Sequence, residues 1–162
     1  GEPEVIAKVR PILDLMGRDF FHCGPLGMGE AMKLTNNFLA ATLMAASVEA
    51  LVTGTKAGLS LDLMMDVMRT TMAWNNQLGV SLPKKALAGD FSLGFMVKLA
   101  QKDQRLAVGM AEALGSRTPV GRAALDSLAE AAATGLAELD VSALMYAAAQ
   151  GRYWLLNPAS LA

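Results

Sequence analysis

The chain has 162 residues, enough for one domain with a substantial core and too few for two full ones. With 53% hydrophobic and 18% charged residues it has more apolar surface than a lone domain hides easily, so part of that surface is expected against a partner. A formal charge of −1 supplies no cationic field for a polyphosphate, which argues against sequence-independent nucleic-acid binding.

The opening residues Gly1-Glu2-Pro3-Glu4 contain neither a basic nor a hydrophobic leader, so no secretory signal is expected, and a chain that opens mid-pattern without Met reads as a fragment. Pro3 suits the first position of a helix, and Val5, Ile6, Val9, Ile12 and Leu13 recur at helical spacing. They predict a helix from Pro3 or Glu4 to Met16, closed by Gly17. Asp19-Phe20-Phe21-His22-Cys23 is short, aromatic and flanked by glycines, which predicts one extended strand. A lone strand is unstable in water, so its sheet neighbours are expected upstream or in a partner.

Gly24, Gly27 and Gly29 form a turn before a proline-free run from Glu30 to Ala57. Leu34, Phe38, Ala41, Ala45, Val48 and Val52 outline one sustained helix there, ended by Gly58. At 1.5 Å per residue it would be roughly 40 Å long, a spine across a domain. Its most apolar stretch, Phe38 to Val52, contains Thr42, Ser47 and Glu49 and is shorter than the roughly 20 residues of a bilayer span, so a buried helix is expected.

Ser60 is a good N-cap for a helix from Leu61 to about Arg69, with Leu63, Met64, Val67 and Met68 as its inner face. A short helix is expected around Asn75 to Leu82, broken at Pro83. After the Gly89-Asp90-Phe91-Ser92 turn, a second long helix should run from about Gly94 to Leu114. Gly115 and Pro119 bracket the next loop, and Val120 to Thr134 reads as an alanine-rich helix stopped by Gly135. The last helix starts near Asp140 to Ser142 and reaches about Tyr153. The methionines Met64, Met65, Met68 and Met72 are expected to fill core or interface.

The stretch Gly24-Pro25-Leu26-Gly27-Met28-Gly29 feeding a helix presents backbone N–H groups and a positive dipole end, which suits an anionic substrate. Lys33 sits in the first turns, where its charge opposes the dipole. Asn37 follows four residues later, so the two share a helix face and could grip one substrate oxygen together. A lysine so placed can exchange a proton with an alcohol oxygen while hydride leaves the carbon. Helix geometry alone leaves a second reading open, in which Lys33 is a solvated residue and Asn37 a polar spacer.

The run matches the GxxGxGxxxKxxxN signature and resembles the β-hydroxyacid dehydrogenases of the 3-hydroxyisobutyrate dehydrogenase type. By that resemblance Lys33 is the catalytic lysine and Asn37 the substrate-orienting asparagine, while the backbone of Gly27, Met28 and Gly29 helps hold the substrate carboxylate. Pro11-Ile12-Leu13, Met16-Gly17 and His22-Cys23-Gly24 are similar to that family's last nucleotide-domain helix and strand. Phe91-Ser92-Leu93-Gly94-Phe95 with Leu99 and Lys102-Asp103 resembles its second lysine motif, which implies Lys102 beside the cofactor and Phe95 as a wall of its pocket. Plain core is an equally good reading of Phe95. Gly115 to Pro119 and Asp140-Val141-Ser142-Ala143-Leu144 match as well, so the resemblance covers almost the whole chain.

The resemblance implies an all-α domain of the 6-phosphogluconate dehydrogenase C-terminal type with one long spine helix. Residues 1–26 would be the tail of a missing Rossmann domain, and residues 27–162 the helical substrate and oligomerisation domain. It implies hydride transfer between NAD or NADP, held mainly by the missing half, and a small 3-hydroxy acid, in a homodimer or homotetramer. No GxGxxG fingerprint occurs, so the chain alone is not expected to turn over substrate. The alternative is a non-catalytic helical interaction module of the same fold. His22 is the only histidine, so no metal site is expected, and Cys23 reads as packing in a cytoplasmic chain without disulfides.

Overall fold

The computed structural model describes residues 1–92 and 94–149, and the chain divides into two compact units, Gly1–Asn36 and Asn37–Ala162. In the first unit, helix α1 spans Pro3–Leu13 with proline in its first turn, where the missing N–H costs nothing. It stops short of the expected Met16 because the N–H groups of Leu15 and Met16 bond to the carbonyls of Ile12 and Leu13, tightening the chain into turns. None of its residues is buried, and Ile12, Leu15, Met16 and Phe21 are exposed. The strand expected at residues 19–23 does not form. A single extended stretch has no neighbour with which to exchange backbone hydrogen bonds, and the isolated antiparallel bridge between Met96 and Asp140 is the β-pairing found among the described residues. Cys23, expected to pack, is exposed.

Helix α2 spans Met28–Lys56, two residues ahead of the expected start. It ends where Gly58 adopts a φ of 95°, which lets the Leu59 N–H reach the Gly54 carbonyl at 3.0 Å and satisfy an end group of the helix. By length and composition α2 could cross a membrane, so the shortness of its most apolar stretch does not by itself exclude a span. In this fold it contributes Ala41, Met44, Ala45, Val48, Leu51 and Val52 to the core of the second unit.

Helix α3, Leu61–Arg69, is capped as expected, with the Ser60 side chain accepting from the Leu63 N–H. Its inner face differs from the expectation: Met64 and Met65 are buried with Leu61 and Met68 against the core, while Leu63 and Val67 are exposed. Two apolar stripes overlap on this helix, and contact with α2 selects the one at i, i+3, i+4 and i+7. Met72 is fully exposed and is not part of the core. Asn75 then accepts the N–H groups of Gln77 and Leu78, starting a π-helical turn, Gln77–Ser81, that runs directly into the single turn α4, Leu82–Lys84. Pro83 therefore lies inside a helical turn and does not terminate one.

Helix α5 spans Val97–Ala113, α6 Pro119–Ala131, and a π-helical turn extends α6 to Leu136 across a kink at Gly135. Among the described residues, helices α5 and α6 pair extensively. The Phe38 ring packs on the backbone of Gly121, and a Cβ there would overlap it. Gln104, fully buried, donates to Thr42 Oγ1 and to the Gly121 carbonyl, tying α5 to α2 and α6. A 3-10 turn, Val141–Ala143, leads into α7, Leu144–Ala148. Leu93 and the rest of the last expected helix, to Tyr153, lie outside the described residues.

Candidate active site

In the first unit, Gly27 has a φ of 94°, a conformation that an L side chain rarely adopts, and this turn starts α2 at Met28. The Met28 N–H already donates to the Pro25 carbonyl at 3.1 Å, so of the three positions expected to hold a carboxylate this one is occupied locally. Gly29 and Glu30 stand in the first turn, where helix geometry leaves N–H groups without intrahelical acceptors. Lys33 lies 3.7 Å from Glu30 Oε1 with its side chain 41% exposed, a loose pair that solvent weakens.

In the second unit, Asn37 Nδ2 donates to Asp103 Oδ2 at 2.8 Å, across 66 residues of sequence. The other carboxylate oxygen of Asp103 lies 3.1 Å from Lys102 Nζ. Asp103 is buried while Lys102 remains 54% exposed, which is how adjacent residues on a helix diverge. One buried carboxylate therefore joins residues from the two motifs that the sequence singled out separately. Asp103 was quoted as part of the second motif without a role. Its signal was present all the same, as a charged residue in the inward stripe of Val97, Ala100, Ala107 and Val108.

Asn37 and Phe95 line the same cavity, of about 380 Å³, together with Met44, Gln77, Lys84 and Asp140 among others. Phe95 is 38% exposed where it lines this cavity. Its backbone is pinned: the Phe95 N–H donates to Asp140 Oδ2 at 3.0 Å, and the Val141 N–H donates to the Phe95 carbonyl at 2.7 Å. Asp140 uses its second oxygen to accept the Ser142 N–H at 3.0 Å, capping the 3-10 turn. The floor is held by Gln77, whose side chain donates to the Ala40 carbonyl. Lys102 does not line this cavity, and Lys33 and Gly27 to Gly29 belong to the other unit.

In the cavity wall, Lys85 Nζ contacts Asp90 Oδ2 at 3.0 Å and the carbonyl and hydroxyl of Ser92. Hydrogen bonds from the Ser92 hydroxyl and the Lys85 ammonium hold the Asp90 carboxyl at about 2, below its ordinary 3.8. This clasp closes the turn that leads to Phe95. Trp74 packs against the core with Arg69 over its ring. A second cavity of about 410 Å³ between α2, α6 and α7 contains none of the residues expected to act. Among the described residues no group of His, Cys, Asp and Glu is placed to hold a metal ion.

Residues 27–148 match a family model described as the NAD-binding region of NADP-dependent 3-hydroxyisobutyrate dehydrogenase. The chain is 37% identical over 148 residues to the NAD-dependent L-serine dehydrogenase of Pseudomonas aeruginosa, covering 88% of this chain and 50% of that protein. It is 36% identical over 127 residues to the 3-hydroxyisobutyrate dehydrogenase of the same organism, covering 75% and 43%. A solved structure of the Mycobacterium tuberculosis 3-hydroxyisobutyrate dehydrogenase with L-serine superposes with a TM-score of 0.84 at 31% identity, over 91% of this chain and 52% of that one. The chain thus spans about half the length of the relatives it matches.

Proposed function

The chain belongs to the 3-hydroxyisobutyrate dehydrogenase family, and from that premise we propose that it is the helical half of an oxidoreductase that moves a hydride between NAD or NADP and a small 3-hydroxy acid. Residues 1–26 then form the tail of an upstream dinucleotide-binding domain, and residues 27–162 the helical domain with α2 as its spine. The bare apolar residues of the first unit, Ile12, Leu15 and Phe21 among them, support that division, because they are what the edge of a larger sheet and helix layer would cover. The family match beginning at residue 27 agrees with it.

The observation that carries the reading is the Asp103 carboxylate, shared by Asn37 and Lys102 and adjoining a cavity walled by Phe95. The residues suit a nicotinamide: an exposed aromatic ring and a half-exposed ammonium are what a flat ring and its charged neighbours require. When bound, the nicotinamide supplies or accepts the hydride. In this reading Lys33 exchanges the proton at the substrate oxygen, and Asn37, fixed by Asp103, orients that substrate. The first-turn backbone after Gly27 meets the carboxylate, and Lys102 lies on the cofactor side.

The apolar surplus supports a homodimer or homotetramer, and the single cysteine a cytoplasmic setting. No observation favours the non-catalytic interaction module. In the full-length protein Lys33→Ala is expected to lower turnover by about two to four orders of magnitude with the fold intact. Unchanged turnover would remove Lys33 from the chemistry.

A further inference from the structure

The cavity beside Asn37 contains a charge that the proposed chemistry leaves idle. Of the other polar lining residues, Asn37 donates to Asp103, the Ser81 hydroxyl is uncharged, and the remaining three are engaged as well. Lys85 is clasped by Asp90 and Ser92, Asp140 accepts from Phe95 and Ser142, and the Gln77 amide donates to Ala40. Lys84 makes no ion pair or hydrogen bond with any described residue. The backbone that carries it is fixed, because Leu82 and Ala86 on either side are fully buried in the core and Pro83 stiffens the turn between them. Lys84 lines the cavity while remaining exposed to solvent, and the remaining walls are largely apolar, with Met44, Val80, Phe95 and Val141. A volume of about 380 Å³ suits a small molecule and not a macromolecular segment.

We infer that this cavity receives the far end of a substrate with a second oxyanion group, and that Lys84 is the residue that selects for it. The substrate class becomes a 3-hydroxy acid, or the matching aldehyde acid, with a further carboxylate or sulfonate on its side chain. The reaction named here rests on the dehydrogenase reading. The anion site itself does not, since it depends only on Lys84 and the cavity. A cofactor phosphate offers the same oxyanion chemistry and is the competing source.

The test uses the full-length protein and a matched pair of substrates, 3-hydroxyisobutyrate and 2-(hydroxymethyl)succinate, which differ by a methyl against a carboxymethyl group. Wild type is expected to prefer the dicarboxylate in kcat/KM. Lys84→Ala is expected to reduce that preference about tenfold or more, through KM and not kcat, with Lys84→Arg restoring most of it. An unchanged preference, or an effect confined to the KM of NAD(P), overturns the assignment, the latter pointing to a phosphate. If wild type turns over neither acid, the dehydrogenase reading fails and calorimetric binding of succinate decides the site: affinity lost in Lys84→Ala upholds it, and equal affinity in both proteins overturns it.

Discussion

Replacing Asp140 by alanine isolates the device that holds Phe95 against the cavity. Asp140 is buried and gives one oxygen to the Phe95 N–H and the other to the Ser142 N–H, each at 3.0 Å. Loss of the cap on the 3-10 turn costs about 1 kcal/mol, and loss of the charge-assisted bond to Phe95 about 1.5–3 kcal/mol, so a destabilisation of about 2–4 kcal/mol is expected. The fold should survive, because backbone bonds from Val97 to Leu139, Lys98 to Ala137 and Val141 to Phe95 pair the same two segments without the side chain. Asp140→Asn keeps one acceptor and should lose about half as much. A Cβ on Gly94 would stand 2.5 Å from Asp140 Oδ2, so Gly94→Ala attacks the same carboxylate. The double variant Gly94→Ala/Asp140→Ala should therefore cost less than the sum of the two by about 1 kcal/mol. Urea denaturation followed by far-UV circular dichroism measures all four proteins, with an unchanged m-value as the check on two-state behaviour. A loss below about 0.5 kcal/mol for Asp140→Ala, or strict additivity with Gly94→Ala, would refute the reasoning.

Other expectations follow from contacts already described. The folded Asp90 carboxyl titrates at about 2 and the ordinary value is 3.8, so its clasp contributes stability above pH 3.8 that is lost as pH falls through 2. Lys85→Met should move the Asp90 midpoint up toward the ordinary value in a carbon-detected NMR titration; an unmoved midpoint would take Lys85 out of the account. Gly121→Ala places a methyl in the Phe38 ring, and overpacking of about 1–3 kcal/mol exceeds a helix-propensity gain of at most about 1 kcal/mol, so the melting temperature should fall. Asp103→Asn keeps the shape but cannot accept at both oxygens; a stability loss of about 1–2 kcal/mol and a raised cofactor KM in the full-length protein are expected, and wild-type kinetics would show the clasp to be structural only.

Much of the helical layout could be read from single residues. Ser60 caps α3 and Gly58 closes α2 because these residues solve problems local to a helix end, and local problems leave local signatures. The inner face of α3 was misread because two stripes share Met64 and Met68, and only the position of α2 decides between them. Residues 19–23 form no strand in this chain, whose described residues contain none of the neighbours the sequence calls for. The motif singles out Lys33, Asn37, Phe95 and Lys102 as candidates, but it does not reveal the link between two of them. Asp103 acquires its meaning from Asn37, 66 residues away, and Lys84 acquires its own from a cavity that three other segments complete. Such roles arise from packing across distant parts of the chain, which periodicity and capping do not encode.

The shared carboxylate of Asp103 has a consequence for how two ligands would sense each other. Its oxygens are divided between Asn37, assigned to the substrate, and Lys102, assigned to the cofactor. A cofactor that draws the Lys102 ammonium away changes the charge felt by the Asn37 amide, and a substrate that pulls on that amide changes the hold on Lys102. Thermodynamic reciprocity makes the two effects equal as factors in affinity. Binding order and cooperativity between the ligands would then be set by one buried side chain, and neither affinity could be altered at this point without altering the other.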